Sequence, residues 1–79
     1  MNNKYEPKIV IDPFSLLVVN TKGELRRIYC PFLVRCIFPI DILEINQSYI
    51  VDLVKNDRNE LIIYAIDGMP YIYNYFEIV

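Results

Sequence analysis

Apolar residues fall in short blocks along the chain, separated by polar or proline-containing breaks. Ile9-Val10-Ile11 is cut by Asp12-Pro13. Proline cannot donate to a strand ladder, so residues 1–13 read as an edge strand or extended arm, loosely ordered over the polar residues 1–8. Leu16 to Val19 reads as a strand, Asn20-Thr21-Lys22-Gly23 as a turn, and Glu24 to Tyr29 as a returning strand. Together they predict a β-hairpin over residues 14–29. Phe32 to Phe38 is a further strand, ended by Pro39. Ile40 to Ser48 has no sustained period and is too short for an independent helix, so it reads as a loop that tucks Ile42, Leu43 or Ile45 inward. Tyr49 to Lys55 alternates cleanly. Asn56 to Asn59 is a polar turn, and Glu60 to Ile66 is the next strand. Asp67-Gly68 is a strong hairpin signal before a short strand, Tyr71 to Tyr73. A tight turn at Asn74-Tyr75-Phe76 then precedes a last strand, Glu77 to Val79.

Several of these strands are apolar on both faces, Leu61 to Ile66 most plainly. A single sheet with one wet face would alternate apolar and polar residues. Cover on the second face must therefore come from barrel closure, from the N-terminal hairpin, or from a second subunit. The predicted core takes Leu17 and Val19 from the hairpin, and Val34, Cys36 and Leu43 from the following strand and loop. Tyr49, Val51, Leu53, Ile63, Ile66 and Phe76 complete it.

Composition sharpens this pattern. The chain has 79 residues, enough for a single domain with a thin core. Its hydrophobic share of 54% excludes a disordered chain. Thirteen Ile and seven Val stand against one Ala, with seven Tyr and four Phe. Such β-branched and aromatic side chains suit a pleated surface, which makes the expected fold all-β. The first fifteen residues contain no apolar core of a secretory signal, and no apolar run nears the ~18–20 residues of a membrane span. The expectation is a soluble, cytoplasmic protein with reduced thiols and no membrane partner.

The order Val34-Arg35-Cys36-Ile37, then Leu43, Tyr49-Ile50-Val51, Tyr64, Ile66-Asp67-Gly68, Tyr71, Tyr73 and Phe76-Glu77-Ile78-Val79 resembles a group of small SH3-like β-barrels. These occur in phages and bacteria, largely without assigned function. The resemblance covers about residues 33–79. The family's glycine before the Tyr-x-Val strand falls at Asn46 or Gln47 here, and the N-terminal hairpin lies outside the pattern. The resemblance implies a fold, an SH3-like barrel over residues 32–79 carrying an additional N-terminal β-hairpin. It implies no reaction and transfers no functional residue.

Little in the chain points to catalysis. There is no histidine, so neither Cys30 nor Cys36 has the base a nucleophilic thiol needs, and two thiolates cannot make a four-ligand metal site. Both cysteines read as inert thiols. Asp41 with Glu44, and Asp57 with Glu60, lie at turns, where solvated charge and capping explain them. No glycine-rich phosphate loop is present. The expectation is a protein that is not an enzyme and uses no cofactor or metal.

Two features remain as binding candidates. Tyr71, Tyr73 and Tyr75 share one parity, and the Asp67-Gly68 turn brings Tyr64 near them. Such a stripe suits an extended peptide, a nucleobase stack or a dimer interface. It also suits plain cross-strand packing. Lys22, Arg26, Arg27 and Arg35 form a basic patch around the hairpin. Residues 1–37 carry six cations against three acids, and residues 38–79 two against seven, for a net charge of −2. The acidic total argues against a nucleic-acid partner, whose backbone demands neutralisation, although the basic hairpin and stacked tyrosines are the features that would serve one. The leading expectation is a small interaction module that binds a protein partner and forms a homo-oligomer. Its alternative is a nucleic-acid-binding barrel.

Overall fold

The computed structural model describes residues 4–79 and is all-β, with no α-helix among them. Nine strands form three antiparallel three-stranded sheets rather than a closed barrel. The first sheet holds β1 (Tyr5–Asp12), β2 (Ser15–Asn20) and β3 (Leu25–Tyr29), in that order. The second has β4 (Phe32–Cys36) between β5 (Ser48–Val51) and β9 (Phe76–Ile78). The third has β7 (Ile62–Ile66) between β6 (Leu53–Asn56) and β8 (Met69–Ile72). A 3-10 turn, Tyr73–Tyr75, joins β8 to β9.

Local chemistry fixes the turns. The Asn20 carboxamide oxygen accepts hydrogen bonds from the Lys22 and Glu24 backbone N–H groups, at 3.0 and 2.9 Å, and its nitrogen donates to Glu24. Asn20 is buried because it replaces the backbone partners the turn lacks. Asp67 and Gly68 both take positive φ, 52° and 77°, between the paired residues Ile66 and Met69. That is the two-residue primed turn, whose twist matches the strands it joins. The Asp57 carboxylate accepts from the Asn59 and Leu61 N–H groups and closes the β6–β7 turn.

The N-terminal strand is longer than the sequence pattern suggests. Residues 5–8 belong to β1, paired against β2 across irregularities near Lys8 and Ile11, which corrects the expectation of a loose segment there; residues 1–3 lie outside the described residues. Proline is tolerated at Pro7 because β1 is an edge strand. The first sheet is not a separate unit. Leu16 and Val18, fully buried, share one cluster with Val34, Val51, Tyr64 and Phe76. The Val54 N–H donates to the Pro13 carbonyl at 2.9 Å, which docks the β1–β2 turn against the edge of β6.

Val34, Cys36, Leu43, Val51, Ile66 and Phe76 lie in the core as expected, and Ile63 is buried outside the main cluster. Tyr49, also expected in the core, is half-buried against it, and two expectations are corrected. In β2 the buried set is Leu16 and Val18 instead of Leu17 and Val19. Val54 replaces Leu53, because Asp52 and Leu53 both face outward where the chain leaves the ladder with β4 and joins the ladder with β7. The 37–47 loop tucks one of its three candidates inward, as expected: Leu43 is buried, while Ile42 is 84% exposed.

Candidate functional site

The four tyrosines do not form one exposed stripe. Tyr64 and Tyr71 sit opposite each other on β7 and β8, as the turn predicts, but on the inner face. The Tyr64 ring is 1% exposed and packs edge-on to Phe32 at 5.6 Å and tilted to Phe76 at 5.9 Å. Burial drives its phenol pKa well above the ordinary value. Tyr71 stacks edge-on to Phe76, and its hydroxyl donates to the Asp41 carboxylate at 3.0 Å, which pins the 37–47 loop to β8. Burial, then that hydrogen bond, raises its pKa. Neither ring can meet a ligand without opening the core. Tyr73 and Tyr75 are half-buried on the 3-10 turn, where Tyr75 packs edge-on to Phe38. These contacts are what cross-strand and loop packing require.

The basic residues are likewise dispersed. Lys22 is at the tip of the β2–β3 turn. Arg26 and Arg27 are neighbours on β3 and project to opposite faces of the first sheet. The Arg26 guanidinium lies over the Tyr5 ring. Arg27 donates to the Ser15 hydroxyl at 2.9 Å, reaches Asp12 at 3.3 Å and lies over the Tyr29 ring at 5.0 Å. Asp12 accepts from the Phe14 N–H and the Ser15 hydroxyl, which with Arg27 hold its pKa below the usual carboxylate range. Arg35 is on the second sheet and ion-pairs with Glu77. Lys4 joins the same carboxylate at 3.1 Å, and its hydrogen bond, with those of Arg35, lowers the Glu77 pKa against the opposing effect of burial. Three of the four predicted cations are thus engaged within the chain.

Neither cysteine is poised for chemistry. Cys36 is fully buried and its thiol donates to the Phe38 carbonyl. Burial, followed by the charges of Asp52 and Asp12, raises the pKa of half-buried Cys30 and keeps the thiol protonated. Among the described residues no group of three or more Cys, Asp or Glu comes together in a way that could hold a metal ion.

The surface features the motif search passed over are apolar. Leu33 and Ile50 sit directly opposite each other on the outer face of the second sheet, 50% and 54% exposed. Val79 N–H reaches the Leu33 carbonyl, placing a third exposed side chain beside them. The signal for this face was present in the chain: once Val34 and Val51 point inward, Leu33 and Ile50 must point outward. On the third sheet, Pro13, Leu53, Ile63, Ala65 and Pro70 line an open groove of about 370 Å³, with Lys55 at its side. A third feature is the free edge of β3, whose residues pair with β2 alone.

No known protein family matches the chain, and no curated protein or solved structure shows significant similarity to it. The class the geometry defines is a small all-β protein with apolar outer surfaces.

Proposed function

We propose that the protein is a non-enzymatic interaction module that binds protein and self-associates. The observation that carries this reading is the Leu33–Ile50–Val79 face. Three large apolar side chains lie side by side on an open sheet, flanked by the ion pair of Arg35 with Glu77. Isolated exposed apolar residues are ordinary; a contiguous row on one sheet face is the pattern of an interface core with a polar rim. The occupant we assign to it is the same face of a second copy, related by a two-fold axis. A small standard interface removes ~600 Å² per partner, about a tenth of the 5513 Å² surface of the chain.

The chain order from β4 onward supports an SH3-like arrangement for residues 32–79. A strand is followed by a long loop, two strands broken at Asp52, a hairpin, a 3-10 turn and a closing strand that returns to pair with the first. The added N-terminal sheet supplies part of the cover that the apolar strands need. The alternative reading, nucleic-acid binding, has lost the observations that favoured it. Its stacking tyrosines are buried or half-buried, and its cations are spread over two sheets.

Sedimentation or light scattering over a concentration series tests the reading. The expected result is concentration-dependent dimerisation that Ile50→Arg abolishes without loss of the β-sheet spectrum. A strict monomer at high concentration removes its support.

A further inference from the structure

The free edge of the first sheet has a specific polarity. Cys30 N–H donates to the Phe14 carbonyl, and Asn20 N–H to the Glu24 carbonyl. These bonds, with the β2–β3 register, set the even-numbered residues as the bonded pairs: Leu16 with Ile28, and Val18 with Arg26. Leu25, Arg27 and Tyr29 therefore point their backbone N–H and C=O groups away from β2. No backbone hydrogen bond within the described residues engages that side of the strand. The side chains of the same three residues share the outer face, where Leu25 and Tyr29 are more than half exposed.

From this juxtaposition we propose that the β3 edge takes up an extended acidic peptide as a fourth strand of the first sheet. This deepens the module reading above and rests on it. Main-chain hydrogen bonds to Leu25, Arg27 and Tyr29 supply the affinity, and the side chains facing those three residues supply the selection. The complementary pattern is an apolar residue, any residue, Asp or Glu, any residue, and an apolar residue. It applies to antiparallel addition, in which the acidic residue opposite Arg27 turns its own N–H and C=O to the Arg27 backbone.

Charge separates this occupant from a second copy of the chain. β3 carries Arg26 and Arg27 and no acid. Antiparallel self-pairing centred on the strand sets Arg27 against Arg27, and like charges directly opposite are destabilising. An acidic residue in that position faces the guanidinium instead. Arg27 leans back across β2 to the Ser15 hydroxyl and Asp12, and its one ion pair, with Asp12, is long and exposed, so an incoming carboxylate draws the guanidinium across to the free edge. The partner carboxylate competes with that exposed ion pair and with the neutral hydrogen bonds to Ser15.

Fluorescence anisotropy with a labelled peptide Thr-Val-Thr-Glu-Thr-Val-Thr tests the assignment on the full chain. Three companion peptides are used: Lys in place of Glu, the same composition scrambled, and the parent peptide N-methylated at Glu. The parent peptide should bind. The Lys peptide should bind roughly tenfold more weakly, the scale of reversing one cross-strand charge pair. N-methylation removes the N–H that faces Arg27 and should abolish binding, as should scrambling. Arg27→Glu should reverse the preference between the Glu and Lys peptides, and Arg27→Gln, a milder change, should level it. No binding of the parent peptide overturns the proposal, as does indifference to N-methylation or to both Arg27 variants. Self-association measured on the same samples keeps the two failures apart: a dimer that ignores the peptide leaves the module reading in place and removes only the β3 edge.

Discussion

Leu16→Ala and Leu17→Ala make a matched pair that tests which face of β2 is buried. Leu16 is wholly inaccessible, sits between Val10 and Ile28 across the two ladders, and belongs to the cluster that includes Val34 and Phe76. Truncating a fully buried leucine removes its transfer free energy and leaves a cavity, which together cost ~2–5 kcal/mol. A domain of this length holds only ~4–12 kcal/mol in all. Leu17, with Ile9 and Arg27 as cross-strand neighbours, is only part-buried on the opposite face, and its truncation should cost under about 1 kcal/mol. In urea, with a slope of ~1.5 kcal/mol/M, Leu16→Ala should lower the midpoint by about 2 M and Leu17→Ala by well under 1 M. Both variants should unfold in one transition, since the first sheet shares its core with the other two. Equal losses, or a larger loss for Leu17→Ala, would refute the assigned register. A two-step transition in Leu16→Ala would refute the common core.

Three further outcomes follow from single features. Tyr64→Phe should change stability by less than about 1 kcal/mol, while Tyr64→Ala should cost ~3–5 kcal/mol, because the ring and not the phenol fills the core between Phe32 and Phe76; urea melts of both variants check it. Gly68→Ala should lose about 1 kcal/mol in the same assay through its positive φ alone, since no atom lies near enough to clash with an added Cβ. Pairing with Lys4 and Arg35 lowers the folded-state pKa of Glu77, so its stabilisation is complete above the unfolded carboxylate value and is lost as pH falls through the folded one. Stability should therefore decline from about pH 5 toward pH 3, and thermal melts of Glu77→Gln across that range should show a shallower decline.

The elements were legible wherever the chain alternated or carried turn chemistry. Asp67-Gly68 named its own turn, and Asn20 to Gly23 did the same. The faces of the strands were harder. In Leu16-Leu17-Val18-Val19 every position is apolar, so periodicity holds no information about which pair turns inward. The polar residues at the strand ends, Ser15 and Asn20, do not settle it, since they fall on opposite faces and both are buried by a specific partner, Arg27 and the β2–β3 turn. A rule that expects polar residues outside picks the right face from Ser15 and the wrong one from Asn20. At Val51-Asp52-Leu53-Val54 the failure is different. Period-two counting assumes one continuous strand, and the change of ladder partner at Asp52 shifts the count by one. The tyrosine stripe failed for a related reason: parity placed Tyr64 beside Tyr71 correctly but could not say that their shared face was the inner one.

The charge asymmetry along the chain takes a new meaning from the fold. Read linearly, a basic first half and an acidic second half suggest two halves that neutralise each other. In space only part of this occurs: Lys4 and Arg35 meet Glu77, whereas Arg27 turns to Asp12 within its own sheet. Arg26 lies over an aromatic ring, and Lys22 is left at a hairpin tip. Arg26 and Arg27 thus place two cations and no acid on β3, a strand that pairs on one side only. Edge strands commonly carry charge to discourage pairing with copies of themselves. The same charge that repels a second β3 attracts a strand of opposite sign, so protection against self-pairing and selection of an acidic partner are one electrostatic property of this edge. The apolar Leu33–Ile50–Val79 face carries no charge of its own to oppose a second copy, which is why we propose it, and not the β3 edge, as the face of self-association.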